Sequence, residues 1–463
     1  VFPARRSFSV GGGLHTLRMS IFVNSCHTPK EKQMKMEADL SLANKWSKEF
    51  LDEMRKHGDP YADEAAGALF KALDPVNNPG VWRKFLTQFV GYDLSKDIEQ
   101  NSFDEDFPQE LIDYFTNFEI FQFTHEELKI LEKGSKFFVE HGPGATLALA
   151  VRSLLKQYAH TKAIQVLRTT QLLEKHVNRR IMETMQFVMD VMEPGWHEEH
   201  EEGREEPTVN RMHVGIQSIQ KLRLVHSMIR YRIKHGLYDV KSQGKWNPKW
   251  GEPINQEDMI FAIHTFSNEV ILGLIESGKD LETDEIESYY QTWALIGRLL
   301  GVDQRLQPAN FKEGMALQQK IYERHFTMPN EAGPRLASAL TNWLETVLSP
   351  LGEEVVMAII KKYNGPENFD LLKNNLQIDI DLTEEDLAAH IHGAELQHDM
   401  EFAADAEPEA TALEILYMNF MQSLLRTERG GKNSNFRIGD GFGARWNLNR
   451  DHEEPPGGLE KLW

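Results

Sequence analysis

The stretch that decides the fold reads RMHVGIQSIQKLRLVHSMIRYRI, from Arg211 to Ile233. Apolar residues recur in it every three or four positions, which predicts an amphipathic helix with one face toward a core. These residues are Ile219, Leu222, Val225 and Ile229. A second stripe, Arg223, His226 and Arg230, follows the first by one residue, or about 100° of helix rotation. The second stripe therefore flanks the buried face.

Two interpretations of this second stripe are open. In the first, His226 is a neutral imidazole that ligates iron, and Arg223 and Arg230 pair with carboxylates such as the propionates of a haem. In the second, His226 is a partly buried histidine beside two surface arginines. Spacing alone favours the second interpretation, because R-x-x-H is a short pattern that arises often by chance.

The rest of the chain predicts helix after helix. Of the 463 residues, 41% are hydrophobic and 10% aromatic, which is the composition of a globular protein. Few segments alternate with period two, so the predicted fold class is all-α. We expect a leader or targeting-like segment over 1–35, a large helical domain over 36–363, and an acidic C-terminal extension with an irregular tail over 364–463.

Local signals predict where some helices begin and end. Asp59 is expected to cap a helix that has Pro60 in its first turn. The sequence HGPG at 141–144 predicts a loop between a helix over 125–139 and another over 145–158.

Charge and cysteine content exclude several classes of protein. Lys plus Arg number 51 and Asp plus Glu number 71, and the net charge of −20 argues against a nucleic-acid partner. With Cys26 alone, the chain has no intramolecular disulfide, no thiolate metal cage and no CxxCH site for covalent haem. No uninterrupted apolar run reaches the roughly 20 residues of a membrane helix. The best candidates, 145–155 and 293–300, each contain an arginine, so we expect no transmembrane segment.

Residues 1–30 differ from the rest of the chain because they contain no acidic residue. The run RRSF at 5–8 resembles a twin-arginine export signal, and the same composition also fits an organellar presequence. An unstructured leader is a third interpretation, so the cellular compartment stays open.

A polar triplet, Arg168, Thr169 and Thr170, interrupts the apolar run of a helix predicted over 161–193. Hydroxyl groups in mid-helix can donate to the carbonyl four residues earlier, which is the structural interpretation. The functional interpretation is a polar spot that faces a pocket. Without a known partner surface, the structural interpretation is favoured.

Motifs in a fixed order resemble the family of latex clearing proteins and MpaB-type oxygenases. They are GDPYAD at 58–63, LRTT at 167–170 with RRIMET at 179–184, RLVHSMIR at 223–230, and YQTWALIGRLLGV at 290–302. No single motif is specific, but the ordered set is, and the resemblance covers roughly 50–326.

The resemblance implies an all-α fold with a globin-like core and a non-covalent haem b. It also implies oxidative cleavage, with dioxygen, of carbon–carbon double bonds in isoprenoid chains. His226 falls on the family's proximal iron ligand, and Arg223 and Arg230 fall on arginines that line its haem site.

The distal side departs from the family pattern. The family places a lysine and then a threonine there, whereas Arg168, Thr169 and Thr170 stand here and are the expected catalytic residues. Arginine keeps its proton and is a poor iron ligand. Residues 148–151, which read ALAV, stand where the family has a distal glutamate. A mechanism with a carboxylate base is therefore not carried over.

We expect a haem-b-dependent, oxygenase-like oxidoreductase that uses dioxygen on an apolar small molecule or polyprenyl chain. One alternative is a non-catalytic helical scaffold or subunit of the same fold. Another is a haem-based sensor or electron-transfer protein.

Other patterns carry less weight. The histidines of HEEH at 197–200 are three apart in a Glu-rich stretch, whereas a metalloprotease needs them four apart on one helical face. The ELQH at 395–398 has no second E-x-x-H, which a di-iron site requires. With His390 and His392 it leaves a weak possibility of a mononuclear metal site.

Overall fold

The structure is a computed structural model of the chain. The residues it describes are 40–90, 107–116, 123–170, 177–197, 209–210, 213–238, 245–326, 331–347, 353–378 and 380. The leader predicted over 1–35 and most of the extension predicted over 364–463 lie outside the described residues.

The described chain consists of α-helices and short connections, which confirms the predicted all-α class. In chain order the helices are α1 (Lys48–Met54), α2 (Pro60–Leu73), α3 (Pro79–Val90), α4 (Gln109–Thr116), α5 (His125–Ala148), α6 (Leu154–Ala159), α7 (Ile164–Thr170), α8 (Val177–Met192), α9 (Val214–Lys234), α10 (Gln256–Phe266), α11 (Asn268–Ser277), α12 (Thr283–Leu299), α13 (Phe311–His325), α14 (Ala332–Val347), α15 (Glu353–Asn364) and α16 (Phe369–Leu376). No strand is found in these ranges, although His197 and Val209 form an isolated bridge.

Helix α2 begins where the sequence predicts. The Asp59 carboxylate accepts a hydrogen bond from the backbone N–H of Ala62 at 3.4 Å, and Pro60 occupies the first turn. Asp74 ends the helix in a left-handed conformation with a φ of 41°. The cap fixes the Asp59 carboxylate at the start of α2, where it also meets α9.

The prediction of a loop at 141–144 is wrong. Helix α5 continues through Pro143 to Ala148, and a π turn, Leu149–Ser153, then leads into α6. A proline costs about 3 kcal/mol in a helix interior, but tertiary packing routinely overrides such local preferences. Here Gly142, Pro143 and Gly144 are buried in the protein interior, so packing keeps the helix continuous.

Two hydrophobic cores meet at α9. The main core is centred on α5 and α12, which share the most extensive contact between described helices, and it takes in Ile216 and Ile219 of α9. The smaller core joins α2, α3 and α4 to Leu224 and Met228 of α9. Helix α9, the one predicted from Arg211–Ile233, is therefore the central element of the fold.

One stretch, Gln256–Ser277, is long and apolar enough to pass a test for membrane-spanning helices. The mean hydropathy of its most apolar 18-residue window is 1.3, but 83% of that window is buried inside the protein, as in the core helix of a globular protein. The sequence analysis missed this stretch because Glu257, Asp258 and Glu269 interrupt its apolar run.

The packed body continues beyond residue 363, where the sequence analysis placed its end. That position lies inside α15. Leu372 and Leu376 of α16 are buried in the main core, and Lys156 Nζ donates a hydrogen bond to Asn368 Oδ1 at 2.5 Å. Residues 364–378 therefore belong to the helical body.

Gly134 of α5 is expected to be essential for the contact between α5 and α12. A Cβ atom added there would lie 2.6 Å from Thr292 Cβ, so Gly134→Ala should lower the free energy of unfolding by about 1–3 kcal/mol through overpacking. Gly67, in the middle of α2, is the matched control because its added Cβ would meet nothing closer than 3.9 Å. Gly67→Ala should raise stability by up to about 1 kcal/mol. Urea denaturation measures both, and equal effects would contradict this account of the contact.

Candidate functional site

The N-cap of helix α9 is His213, and both of its ring nitrogens form hydrogen bonds within the protein. His213 Nδ1 accepts a hydrogen bond from the Gly215 N–H at 3.1 Å, so its Nε2 carries the proton and donates to the Glu193 carbonyl at 2.7 Å. Trp196 stacks on the ring with centroids 4.1 Å apart. Burial lowers the pKa of His213 to about 4, although the hydrogen bond to Glu193 opposes the shift. The N-terminus of α9 is thus held by a neutral imidazole.

Arg223 forms a buried ion pair with the cap of α2. Its Nε and Nη2 donate to the two carboxylate oxygens of Asp59 at 2.5 and 2.9 Å, and its Nη1 donates to the Leu299 carbonyl at 3.1 Å. The bidentate geometry is the strong form of an arginine–carboxylate pair. The pair joins α9, α2 and the end of α12.

Arg230 forms a second pair two turns further along α9. Its Nε donates to Asp63 Oδ1 at 2.7 Å, and its two Nη atoms donate to the Ile254 carbonyl at 3.0 Å and to Ser227 Oγ at 2.6 Å. Only 1% of Arg230 is exposed. The GDPYAD motif therefore supplies one carboxylate to each arginine of the R-x-x-H-x-x-x-R motif.

The structure corrects the predicted orientation of α9. The arginines lie on the buried face, whereas Leu222, Val225 and Ile229, expected on the buried face, are half-buried. The physical reason is that Asp59 and Asp63 compensate the two guanidinium charges inside the protein. Direct contact of Arg223 and Arg230 with a cofactor stays a prediction, because the chain's own carboxylates already bind them.

His226 lies between the two arginines on the half-buried face of α9. Its Nδ1 is buried and has no hydrogen-bond partner. Burial, together with the positive charges of Arg230 and Arg180, lowers the pKa of His226 to about 3, although the Asp59 carboxylate opposes the shift. The ring is therefore neutral, which is the form that ligates metal ions.

Helix α8 packs against α9 and places Arg180 near His226. Ser218 of α9 donates a hydrogen bond to Asp190 of α8. The Arg180 guanidinium donates to Glu183 at 2.7 Å and is close enough to His226 to influence its pKa. Arg180 belongs to the RRIMET motif, to which the sequence analysis gave no role.

A small, mostly apolar cavity lies between α8 and the π turn that follows α5. It is lined by Leu149, Ala150, Ser153, Leu154, Gln157, Ile181, Thr184, Met185 and Phe266. No titratable side chain is among these nine. Residues 149, 150, 153 and 154, from the π turn and the start of α6, form one side of this cavity.

Arg168 and Thr169 of the predicted catalytic triplet are not among the residues that line this cavity. Thr169 Oγ1 donates to the Gln165 carbonyl at 2.7 Å, which is the structural role that its mid-helix position suggested. Arg168 donates to Gln165 Oε1 at 3.3 Å. The side chain of Thr170 lies outside the described residues. A catalytic role for the triplet stays a prediction.

Other potential ligands were missed or only partly seen from sequence. His264 of α10 is fully buried, and neither ring nitrogen has a hydrogen-bond partner.

A group of three side chains could hold a metal ion. Glu140, His141 and Glu285 each offer one ligand atom, and these atoms lie within 4.8 Å of one another. No known ligand motif marks His264, and Glu285 lies far in sequence from the adjacent Glu140 and His141, so no short motif points to the group. His197 of the HEEH pattern contacts Glu132, and the ELQH at 395–398 lies outside the described residues.

Comparison with known proteins identifies a family and a solved structure that this chain resembles. The family described as "ER-bound oxygenase mpaB/B'/Rubber oxygenase, catalytic domain" matches residues 139–375, just over half of the chain. A solved structure of latex clearing protein in the closed state aligns with a TM-score of 0.57 at 17% identity, and covers 84% of this chain and 95% of that chain. A search of curated proteins gives no match.

Removal of the Asp59 charge should destabilise the protein, because it leaves Arg223 without its counter-charge. Asp59→Asn keeps a residue that caps helices well but leaves a buried guanidinium uncompensated, so the free energy of unfolding should fall by about 3–5 kcal/mol. Lys133→Ala, which removes an exposed pair with Asp284, should change it by less than about 1 kcal/mol. Similar losses for the two variants would mean that the buried pair contributes no more than a surface pair.

His213 should make the protein less stable in mild acid. Its pKa is about 4 in the folded protein against 6.5 in the unfolded chain, so the unfolded chain binds the proton more readily as pH falls from 6.5 toward 4. His213→Asn keeps an N-cap acceptor without the titration. Between about pH 7 and pH 5 the wild type should lose about 2 kcal/mol more than this variant. Parallel stability curves for the two proteins would refute this role.

Proposed function

Because the chain belongs to the family of MpaB-type and rubber oxygenases, we propose that it is a haem-b-dependent oxidoreductase that uses dioxygen on an apolar alkene. The observation that carries the proposal is His226, a neutral imidazole with a buried, unpartnered Nδ1 on a half-buried helix face. A buried nitrogen without a hydrogen bond costs free energy, and ligation of iron would explain its retention.

The surroundings of His226 fit a flat apolar group with an anionic edge. Leu222, Val225 and Ile229 lie within one turn of His226 and are half-buried, so they offer apolar surface beside the imidazole. Arg180 adds a positive charge near the same ring. We propose that Arg180 is the arginine that approaches the haem carboxylates, since its ion pair with Glu183 is half-exposed, whereas Arg223 and Arg230 are themselves buried on Asp59 and Asp63.

Arg223 and Arg230 act in this proposal as positioning residues. Each ties α9 to α2 within one turn of His226, on opposite sides of it along the helix. Together the two pairs fix the rotation of α9 about its axis, and therefore the direction in which the imidazole points. For the predicted direct contact, each guanidinium would have to bind the cofactor and its present carboxylate partner at the same time.

When bound with one protein ligand, a haem supplies an iron site at which dioxygen reacts. The chain's contribution is to hold the imidazole neutral and oriented, and to present the apolar side chains of α9 beside it. In the proposed cleavage, each carbon of the double bond receives one oxygen atom of dioxygen, and two carbonyl compounds result.

One observation favours the alternative function, that of a haem-based sensor, an electron-transfer protein or a non-catalytic subunit. The described cavity has no titratable side chain, and Arg168 and Thr169 bond to their own helix instead of facing it. A haem-based sensor or electron-transfer protein, or a non-catalytic subunit, needs no such group. Consumption of dioxygen with formation of carbonyl products from an isoprenoid alkene supports the oxygenase, and haem binding without turnover supports the alternative.

His226→Ala should abolish the Soret absorption that remains with the protein after reconstitution with haemin and gel filtration, because the iron loses its protein ligand. His264→Ala is the matched control, since burial also lowers the pKa of His264 to about 3 and its nitrogens also lack partners. That variant should bind haem like the wild type. The proposal fails if His226→Ala keeps a wild-type spectrum, or if the spectrum is lost only with His264→Ala.

A further inference from the structure

Two glycines lie directly against the arginines that orient α9. A Cβ atom added to Gly58 would lie 2.9 Å from Arg230 Nε, and one added to Gly301 would lie 2.9 Å from Arg223 Nε. Gly301 also has a φ of 88°, a backbone conformation that favours glycine. A larger residue at either position would therefore push a guanidinium away from its carboxylate.

The side-chain amide of Gln256, the first residue of α10, joins these two glycines. Its Nε2 donates to the Gly58 carbonyl at 2.7 Å and to the Gly301 carbonyl at 2.9 Å, and its Oε1 accepts the backbone N–H of Asp303 at 2.7 Å. Because a backbone N–H can only donate, the bond to Asp303 fixes which end of the amide carries the two hydrogens. Each of these hydrogens is thus bonded to one glycine carbonyl.

Gln256 belongs to none of the four motifs, yet it connects three of them. Gly58 is part of GDPYAD, Gly301 is part of YQTWALIGRLLGV, and both pack on the arginines of RLVHSMIR. Gln256 is only 4% exposed, so a substitution that removes its amide leaves polar groups inside the protein without their partners. A planar amide bonded to both carbonyls also fixes the separation of the two glycines.

We propose that Gln256 is a positioning residue for His226. By holding each glycine against one ion pair of α9, its amide couples the two contacts that fix the rotation of this helix on either side of the imidazole. The inference rests on the proposed function, in which His226 ligates a haem iron. It adds that a residue of α10, acting through two glycines, sets the direction in which the ligand points.

The test compares two buried glutamines. Gln256→Met removes the amide and keeps the length of the side chain. Gln318→Met is the matched control, because Gln318 is 1% exposed and its amide forms hydrogen bonds with Asn268 and Glu269 instead. Both variants lose buried hydrogen bonds, so both should have a lower melting temperature than the wild type. Loss of stability alone therefore does not distinguish the two.

The first measurement uses haem-free protein. The NMR resonance of the Cε1–H group of His226 depends on the surroundings of the imidazole ring. Gln256→Met should shift this resonance, whereas Gln318→Met should leave it at the wild-type position. An unshifted resonance in folded Gln256→Met would overturn the inference. Because the measurement needs no haem, its failure is distinguishable from failure of the haem proposal.

The second measurement uses protein reconstituted with haemin. Gln256→Met should weaken haemin binding about 10-fold, which is within the worth of two neutral hydrogen bonds. It should also shift the iron–histidine stretching band in the resonance Raman spectrum of the reduced protein. Gln318→Met should match the wild type in both respects. Equal effects of the two variants would mean that haem binding follows general stability, and would overturn the inference.

Gly58→Ala tests the same coupling even if Gln256→Met does not fold. The new Cβ would press on the Arg230 guanidinium while the amide of Gln256 stays intact, so the His226 resonance should shift. Gly67→Ala is the control, since its Cβ would meet nothing closer than 3.9 Å, and the resonance should stay in place. Equal shifts in the two variants, or none in either, would contradict the proposed coupling.

Discussion

The structure depends on two buried arginines of α9 that pair with carboxylates at the start of α2, Arg223 with the buried Asp59 and Arg230 with the half-buried Asp63. A guanidinium inside a protein is tolerated only when it is paired and hydrogen-bonded. Each arginine of α9 therefore requires one acidic residue of the GDPYAD motif within hydrogen-bonding distance. Buried pairs of this kind are poor sources of net stability but can specify one arrangement over others. Here they would specify the rotation and register of the helix that carries His226.

Further polar contacts hold the segment that brings these acids into place. Arg55, just after α1, donates to Glu257 and Asp258 of α10 at 3.1 and 2.7 Å. Gln256 of the same helix donates to the Gly58 and Gly301 carbonyls at 2.7 and 2.9 Å. These hydrogen bonds fix the connection between α1 and α2 against α10, and α2 in turn pairs with α9. The orientation of His226 therefore depends on contacts among α1, α2, α9 and α10.

Much of this could be predicted from local patterns. The all-α class, the helix at 211–233 and the cap of α2 at Asp59 follow from periodicity and capping chemistry, which act between neighbouring residues. The HGPG stretch misled because local propensity favours a loop there, while packing that involves distant residues keeps the helix continuous. The partners of the arginines escaped prediction for the same reason, since Arg223 and Asp59 are 164 residues apart in sequence. The unpartnered nitrogens of His264 arise from tertiary packing and leave no sequence signal.

The central claim is that His226 is the protein ligand of a haem iron, and iron-specific anomalous diffraction from crystals of the reconstituted protein tests it most directly. The account predicts one iron peak within bonding distance of a ring nitrogen of His226, with the porphyrin against the half-buried face of α9. An iron peak at His264, or at the group formed by Glu140, His141 and Glu285, would contradict it.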